Sequence, residues 1–452
     1  MKHYISLIII LTATLAQAQE KKWTLKECVD YAIEKNISIQ QTQLDVELNE
    51  IDKKDAFGNF LPSVNANASH NWNIGLNINP ITNVTATQTF QNTGIGLNVG
   101  VDIYNGLQNQ NRLRRANLAK IAAQYQLTKM KDDVSLNVAN AFLQILFNKE
   151  NLKVQQEQLQ NNKKQKERTQ TLVDAGSVPR GDLMDMTATV ATSEQAVVVA
   201  QNALLISKLS LAQLLQLEDF KNFDVVESDY ALTESETMLQ SPETIYNKAK
   251  EERVELKIAR ANLEVAEKDI QIAKGAYQPS LRGFYSFSSR ATNSDRISSD
   301  GSGNFIIQGP APIFDQFSEN KGNAFGIQLN IPILNGFAVR NNVERSKVAF
   351  KRSEIAVNQQ ELDLERNVYT AFTDAKGALN AYEAAVTALA ARKESYKYAQ
   401  ERFDVGLLNA FDLNQSQTLF ANAESEVIRT KFDYIFRVKV VEFYFGIPIA
   451  GR

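Results

Sequence analysis

The sequence repeats itself, and this internal repeat restricts the possible folds more than any local motif does. At an offset of 217, the segment TLKECVDYAIEKN that begins at Thr24 aligns with SPETIYNKAKEER, which begins at Ser241. A second register, at an offset of 230, pairs identical residues: Asn105 and Asn335, Gly106 and Gly336, Arg115 and Arg345, Val138 and Val368, Gly176 and Gly406, Asp182 and Asp412. The chain therefore contains two copies of one structural unit.

The second copy carries an insertion. The later register has the larger offset, which places the extra residues between Ser280 and about Gly326. The segment RATNSDRISSDGSGNFIIQGPAP in this region is rich in Ser, Asn, Gly and Pro. Such a composition predicts a long polar surface loop.

The N-terminus indicates export. Lys2 precedes an apolar run from Ile5 to Leu15, and a small-residue A-x-A site follows at Ala16 to Ala18. This pattern predicts a signal peptide over residues 1–18. Since Cys28 is the only cysteine, an intrachain disulfide is impossible. No apolar run of about 18 residues follows the signal peptide, so we expect no membrane-spanning helix.

Apolar and polar residues alternate after Pro62. In SVNANASHNWNIGLNI, Val64 and Trp72 fall on an apolar side, and Asn65 and Asn71 fall on a polar side. A period of two predicts strands. Strands of about ten residues with a small, uncharged polar face suit a membrane barrel with a water-filled interior. A soluble sheet packed on a core is the alternative, and export favours the barrel.

Two long segments contain no helix breaker or almost none. Residues 107–173 include neither proline nor glycine, which corresponds to about 100 Å of helix at about 1.5 Å per residue. Apolar residues recur every seven positions in both copies, as Val138, Ile145, Leu152 and Leu159, and as Val368, Ala375, Tyr382 and Leu389. Seven is the coiled-coil spacing. We therefore expect long helical hairpins that pack side by side.

The break after each long helix has the same form in both copies. TLVDAGSVPRGDL contains Gly176 and Asp182, and RFDVGLLNAFDL contains Gly406 and Asp412. Glycine ends a helix readily because it adopts the left-handed conformation without strain, and aspartate is a favoured N-cap. We expect each glycine to turn the chain and each aspartate to cap the return helix. A carboxylate ring that faces a lumen and also caps is the alternative to a cap alone.

The predicted fold class is mostly α with transmembrane β, in two structural repeats, residues 19–240 and 241–452. The first is expected to contain one opening helix between Thr24 and Pro62, strands at about 63–78 and 94–104, a long helix 107–173, a tip turn 174–181, a return helix 182–215 and a connector 216–240. The second is expected to contain an opening helix that ends before Pro279, strands at about 280–289 and 324–334, a long helix 337–403, a tip turn 404–411 and a return helix 412–445.

Four strands per chain cannot close a barrel, and an open strand edge exposes backbone groups that lipid cannot satisfy. The chain must therefore form an oligomer. Two copies would supply eight strands around an interior filled by side chains, whereas three would supply twelve and begin to leave a channel. We expect a homotrimer with a 12-stranded barrel.

Composition argues against other classes of protein. The 49 basic and 52 acidic residues nearly balance, which gives no sign of nucleic-acid binding. With one cysteine and two histidines, the chain offers no plausible Cys-His pair, Ser-His-Asp set or His-rich metal site. We expect no enzyme activity, cofactor or metal site. A structural surface coiled-coil protein is a further alternative, which the alternating strands oppose.

The repeated layout resembles the TolC family of outer-membrane efflux and secretion ducts. The resemblance rests on LPS at Leu61 and QPS at Gln278, on the NG pairs at Asn105 and Asn335, and on the two turn sequences. It implies an outer-membrane trimer with a periplasmic tunnel that receives a periplasmic adaptor and an inner-membrane pump. The exported substrate is not indicated, so the exit duct of a type I protein secretion system is an alternative to a tripartite efflux pump.

The resemblance also implies two groups of site residues. The adaptor-docking tip comprises Gly176, Ser177, Val405, Gly406 and Leu407. The entrance constriction comprises Asp182, Asp412, Gln415, Phe403 and Leu408. Phe403 and Leu408 stand where some members have a tyrosine and an arginine that link helices, and Gln415 stands at a second acidic position. The resemblance therefore implies that different contacts hold the entrance closed in this chain.

Overall fold

The computed structural model describes residues 22–78, 85–218, 222–227, 235–299, 301–303 and 305–449. The predicted signal peptide, residues 1–18, and parts of the predicted connector lie outside these ranges. The described residues form two compact units. Unit 1 falls within Met1–Val46, Ala123–Ala259 and Ala356–Arg452, and unit 2 falls within Glu47–Ala122 and Arg260–Ile355.

The two sequence copies fold into similar series of helices and strands. The first contains strand β1 (Lys22–Trp23), helices α1 (Leu25–Lys35) and α2 (Ile37–Gly58), strands β2 (Ser63–Ile78) and β3 (Thr85–Asn105), and helices α3 (Gln108–Asp174) and α4 (Arg180–Leu215). Strand β4 (Asp224–Val225) and a 3-10 helix (Glu236–Leu239) lie between the copies. The second contains α5 (Pro242–Glu252), α6 (Val254–Gly275), β5 (Ser280–Thr292), β6 (Arg296–Ser299), β7 (Phe305–Gln308), α7 (Ile313–Glu319), β8 (Gly322–Asn330), α8 (Ala338–Asp404) and α9 (Ala410–Tyr444).

The expectation of one continuous opening helix in each copy was wrong. Thr24 and Glu27 form the expected capping box and Ser241 caps α5, but α1 ends at Asn36 and α5 ends at Arg253, both in an extended conformation. The two breaks are related by the offset of 217. Both side chains are buried, and their polar groups need partners there. The Asn36 side chain accepts from the Ser38 N–H and donates to the Leu214 carbonyl. A local cap and a tertiary contact therefore accompany the break, which the helical pattern alone did not predict.

Arg253 is 5% exposed and lies among charged and aromatic groups. Its Nη2 is 2.9 Å from Glu255 Oε1 and 3.4 Å from Asp132 Oδ2. Its guanidinium carbon lies 3.8 Å from the centre of the Phe443 ring. Burial raises the pKa of the Asp132 carboxyl, and the charge of Arg253 opposes that rise. A buried arginine is stable here because its guanidinium group has both carboxylate and aromatic partners.

Buried seams hold the helical hairpins of unit 1 together. Val138 and Ile145 of α3, two of the predicted heptad positions, pack in one core cluster with Leu211 and Leu215 of α4. Val368 and Ala375 of α8 occupy the equivalent cluster with Val441 of α9. The predicted seven-residue pattern is thus confirmed at these seams. Each return helix begins two residues before its predicted start, at Arg180 instead of 182 and at Ala410 instead of 412.

Helix α4 bears on the expectation that no helix spans a membrane. Among the described residues it is the one helix long and apolar enough to cross a membrane by length and composition alone. Its apolar residues fall in two sets, a buried seam that includes Leu183 and Val190, and exposed positions that include Val198 and Ile206. Because apolar residues lie on two sides of this helix, its mean hydropathy is high even though the helix needs no contact with lipid.

Unit 2 contains an antiparallel sheet in the order β2-β3-β5-β8. Strand β3 begins at Thr85, not near residue 94, because it pairs with the whole length of β2, from Ser63 opposite Gly100 to Ile78 opposite Thr85. Polar residues on both faces of this segment hid it from the pattern of alternation. Strand β8 ends at Asn330, before the predicted 334, because Pro332 has no N–H to donate.

The insertion in the second copy is not the predicted surface loop. Strand β5 continues to Thr292, β6 and β7 form a hairpin, and α7 packs on β5. The Gln316 side chain binds both the N–H and the carbonyl of Thr292, at 2.9 Å each, and Ser289 donates to the Phe317 carbonyl. Side chains of α7 thus satisfy the β5 edge where β8 no longer pairs with it.

The sheet has one apolar and one small polar face. Ala66 lies opposite Leu97, and Val99 lies opposite Tyr285, which in turn lies opposite Phe325. The polar face repeats asparagine, serine and glycine: Asn67 opposite Gly96, Asn98 opposite Ser286, Ser286 opposite Ala324. Large side chains of the apolar face are exposed, namely Trp72, Ile74, Phe325 and Ile327. This arrangement suits lipid on one side and water on the other.

Replacing Arg253 with methionine should destabilise unit 1 by about 3 kcal/mol, because Glu255 and Asp132 lose a buried counter-charge. We expect a lower melting temperature in detergent, followed by far-UV circular dichroism. Arg429→Met is the matched control, since Arg429 pairs with Glu426 on an exposed surface and such pairs contribute little. Equal melting temperatures for the Arg253 variant and wild type would contradict this account of the helix break.

Candidate functional site

The two tip turns have the same backbone geometry. Gly176 and Gly406 adopt the left-handed conformation, with φ of 70° and 77°. In the first turn, Gly176 N–H donates to Val173 and Ser177 N–H donates to Leu172, at 2.9 and 2.8 Å. In the second, the N–H groups of Gly406 and Leu407 donate to the carbonyls of Phe403 and Arg402 in the same way. Both are Schellman motifs, which end a helix with its last carbonyls satisfied.

The aspartates do not cap the return helices. Helix α9 begins at Ala410, and its N-cap is Asn409, whose Oδ1 accepts from the Asp412 N–H at 2.8 Å. Helix α4 begins at Arg180 after Pro179, which makes no side-chain cap. Asp182 and Asp412 therefore lie in the first turn of their helices, where a carboxylate interacts favourably with the helix dipole. Asparagine caps as well as aspartate, so Asn409 was the missed sequence signal.

An apolar cluster joins the first hairpin to the second near the turns. Met186 of α4 packs with Phe403 of α8 and Leu413 of α9, and the half-buried Leu408 and Tyr396 pack against them. Phe403 is 7% exposed, and its ring lies between the hairpins. Its place at the entrance constriction stays a prediction. Phe403 lies fourteen residues after Leu389, on the same seven-residue pattern, but that pattern did not identify Met186 as its partner.

Two polar contacts accompany this cluster. Arg168 Nη1 of α3 lies 2.7 Å from Asp404 Oδ1 of α8, and Asn414 Nδ2 donates to Thr189 Oγ1 at 2.8 Å. Both ions of the pair are substantially exposed, so the pair contributes about 0–1 kcal/mol. Burial of one large apolar side chain contributes about 1.5–3 kcal/mol. The apolar cluster is therefore the stronger link between the hairpins.

The second turn presents exposed apolar side chains. Val405 is 69%, Leu407 70% and Phe411 68% exposed. The first turn is more polar, with exposed Gly176 and Ser177. Single exposed apolar residues are ordinary, but a group of them at one turn is typical of a surface that meets another protein. Phe411 belongs to this group and was not among the predicted site residues.

The remaining predicted residues lie on α4 and α9. Asp412 and Gln415 are exposed, and Asp182 is half-buried. Further along α9, burial raises the pKa of the Glu424 carboxyl, the charge of Glu157 adds to that rise, and Lys393 opposes it. The described residues contain no group of His, Cys, Asp and Glu side chains able to hold a metal ion.

Unit 2 contributes a second candidate surface, the polar face of the sheet. A shallow groove on this face is lined by small and polar residues, among them Asn67, Ser69, Gly94, Asn98 and Ser288. Arg282 and Asp102 add a charge pair, with Nε and Oδ1 4.0 Å apart. Such a wall suits water and polar solutes and offers no enclosed binding pocket.

The chain matches a known protein family over most of its length. A model of the outer membrane efflux protein family matches residues 28–216 and 245–435, one match in each sequence copy. No match was found among curated proteins.

Several solved channel structures share the fold. CusC, whose structures concern folding and transmembrane channel formation, has a TM-score of 0.77 and 16% identity, over 96% of both chains. The outer membrane protein VceC of Vibrio cholerae has a TM-score of 0.75 and 14% identity, over 94% of this chain and 96% of that one. The Campylobacter jejuni CmeC outer membrane channel has a TM-score of 0.76 and 17% identity, over 93% and 85%. The chain belongs to the outer membrane efflux protein family, and it is a TolC-like efflux channel of the outer membrane rather than an enzyme.

Proposed function

We propose that this channel works as a homotrimer that receives substrates from an inner-membrane pump through a periplasmic adaptor. Channels of this family form trimers with efflux-pump partners. The observation that carries the proposal for this chain is the four-stranded sheet, apolar on one face and polar on the other, with β2 and β8 at its edges. Three copies would supply twelve strands, enough to enclose a water-filled duct.

The adaptor-docking surface is the pair of turns around Gly176, Ser177, Val405, Gly406 and Leu407. Exposed Val405 and Leu407 support this assignment, and Phe411 extends the surface by one turn of helix. Rigid Schellman turns hold these side chains on the ends of long helices. A preorganised apolar surface of this kind binds a partner with little loss of conformational entropy.

The entrance is formed by the first two turns of α4 and α9, which carry Asp182, Asp412 and Gln415. In this proposal the carboxylates of three copies give the entrance a negative field that favours cations. The Met186 cluster, with Arg168 and Asp404 beside it, holds the two hairpins together. These contacts take the place of the tyrosine and arginine links that Phe403 and Leu408 cannot make.

Exchanging Leu407 for glutamate should abolish export while trimers stay intact, because a charge would have to be desolvated in an apolar contact. The measurement is the resistance of cells that express the channel with its adaptor and pump, together with the amount of trimer in the outer membrane. Leu407→Met is the control, since it keeps an apolar side chain of similar volume. Full resistance with Leu407→Glu would remove Leu407 from the docking surface.

Exchanging Asp412 for asparagine should lower cation selectivity. It should cost α9 only the exposed helix-dipole interaction, about 0.3–1 kcal/mol, because Asn409 is the cap. Single-channel recording in a planar bilayer gives the selectivity, and thermal unfolding gives the stability. The matched variant Asn409→Ala should do the reverse, with a loss of about 1 kcal/mol and unchanged selectivity. If Asp412→Asn conducts cations as wild type does, Asp412 is not part of the entrance.

A further inference from the structure

One contact in unit 2 joins the two sequence copies within a chain. The start of α3 meets the end of α6 so closely that a Cβ on Gly106 would clash with the Gly275 carbonyl, and one on Gly275 would clash with the Gly106 carbonyl. Two turns along, Arg115 Nε lies 2.6 Å from Asp269 Oδ1. A glycine pair and an ion pair therefore define how a long helix packs against an opening helix.

The repeat supplies a second set of the same residues. The offset of 230 takes Gly106 to Gly336 and Arg115 to Arg345, at the start of α8. The offset of 217 takes Gly275 back to Gly58 and Asp269 back to Asp52, at the end of α2. All four residue types are retained. The chain thus carries the components of this contact twice but brings only one set together.

The second set is open in the single chain. Gly58 and Gly336 have nothing within 4 Å of an added Cβ, and Gly336 keeps the left-handed φ of Gly106, 58° against 57°. Arg345 and Asp52 are exposed. Neighbouring apolar side chains on both helices are more than half exposed: Leu48 and Ile51 on α2, and Val348 and Ile355 on α8. These two faces, which carry opposite charges at Asp52 and Arg345, lack a partner among the described residues.

We propose that α8 of one chain packs against α2 of a second chain in the trimer, with Arg345 paired to Asp52 and Gly336 against Gly58. The partner that covers these faces is a second chain of this protein, because the contact between α3 and α6 already shows how these residues fit together. The proposal rests on the trimer of the proposed function and specifies its contact.

The sheet supports the same arrangement independently. Within the chain, β3 pairs with β5 so that Val99 lies opposite Tyr285 and Leu97 opposite Phe287. The same two offsets place Leu329 of β8 opposite Ala68 in strand β2 of the second chain, and Ile327 opposite His70. Both pairs fall on the face that carries Val99 and Ile327. The same offsets therefore join both free edges of the sheet with the apolar faces continuous, whereas a register shifted by one residue would not.

A charge exchange tests the ion pair. Asp52→Arg and Arg345→Asp should each lower the trimer fraction of the full-length protein in mild detergent several-fold, since each places like charges in contact. The double variant should restore it. Glu47→Arg makes the same change in charge about 140° around α2 from Asp52, and it should leave the trimer fraction unchanged. Unaffected single variants, or a double variant that stays as weak as the singles, would overturn the proposal.

The glycine pair gives a second test that folding of the chain does not confound. Gly58→Val meets no atom within its own chain, so the variant should keep its helical circular dichroism but fail to form trimers. Gly275→Val clashes within the chain and should lower the melting temperature. Normal trimers with Gly58→Val would overturn the contact. If the wild type itself forms no trimer, the proposed function fails; if it forms trimers and exports but ignores these changes, only the contact fails.

Discussion

The backbone hydrogen bonds at the edges of the sheet are the constraint on which the rest of the structure depends. Strands β2 and β8 end the sheet of a single chain, and hydrocarbon offers no partner for an unpaired N–H or carbonyl. The cost is several kcal/mol for each buried group, far more than any surface contact recovers. If further chains close the sheet into a barrel, the strands of neighbouring chains pair these N–H and carbonyl groups. The internal repeat then gives a simple solution, because the contact made within a chain can be made again between chains.

The helical hairpins meet a different requirement, which is to hold two turns in fixed positions. Glycine at each turn permits the left-handed residue of a Schellman motif, and Asn409 restarts the second helix. Between the hairpins the apolar cluster around Phe403 outweighs the exposed pair of Arg168 and Asp404. A link made mostly of apolar contacts is less sensitive to salt than one made of ion pairs.

Sequence periodicity predicted the features that depend on local pattern. The repeat, the seven-residue seams and the turn glycines are each visible because one residue type recurs at a fixed spacing. The breaks at Asn36 and Arg253, the cap at Asn409 and the place of α7 were missed. Each of these depends on a partner that is distant in sequence or on a choice between equivalent residue types. Arg253, for example, is explained by Asp132 and Phe443, which no local window contains.

The duct proposed for this protein depends most directly on the closure of the sheet by three chains. Native mass spectrometry of the full-length protein, extracted from outer membranes in mild detergent, measures the number of chains in the assembly. We expect a single species with the mass of three mature chains. A stable monomer or dimer that still conducts in a planar bilayer would contradict the account, because four or eight strands cannot enclose the duct it describes.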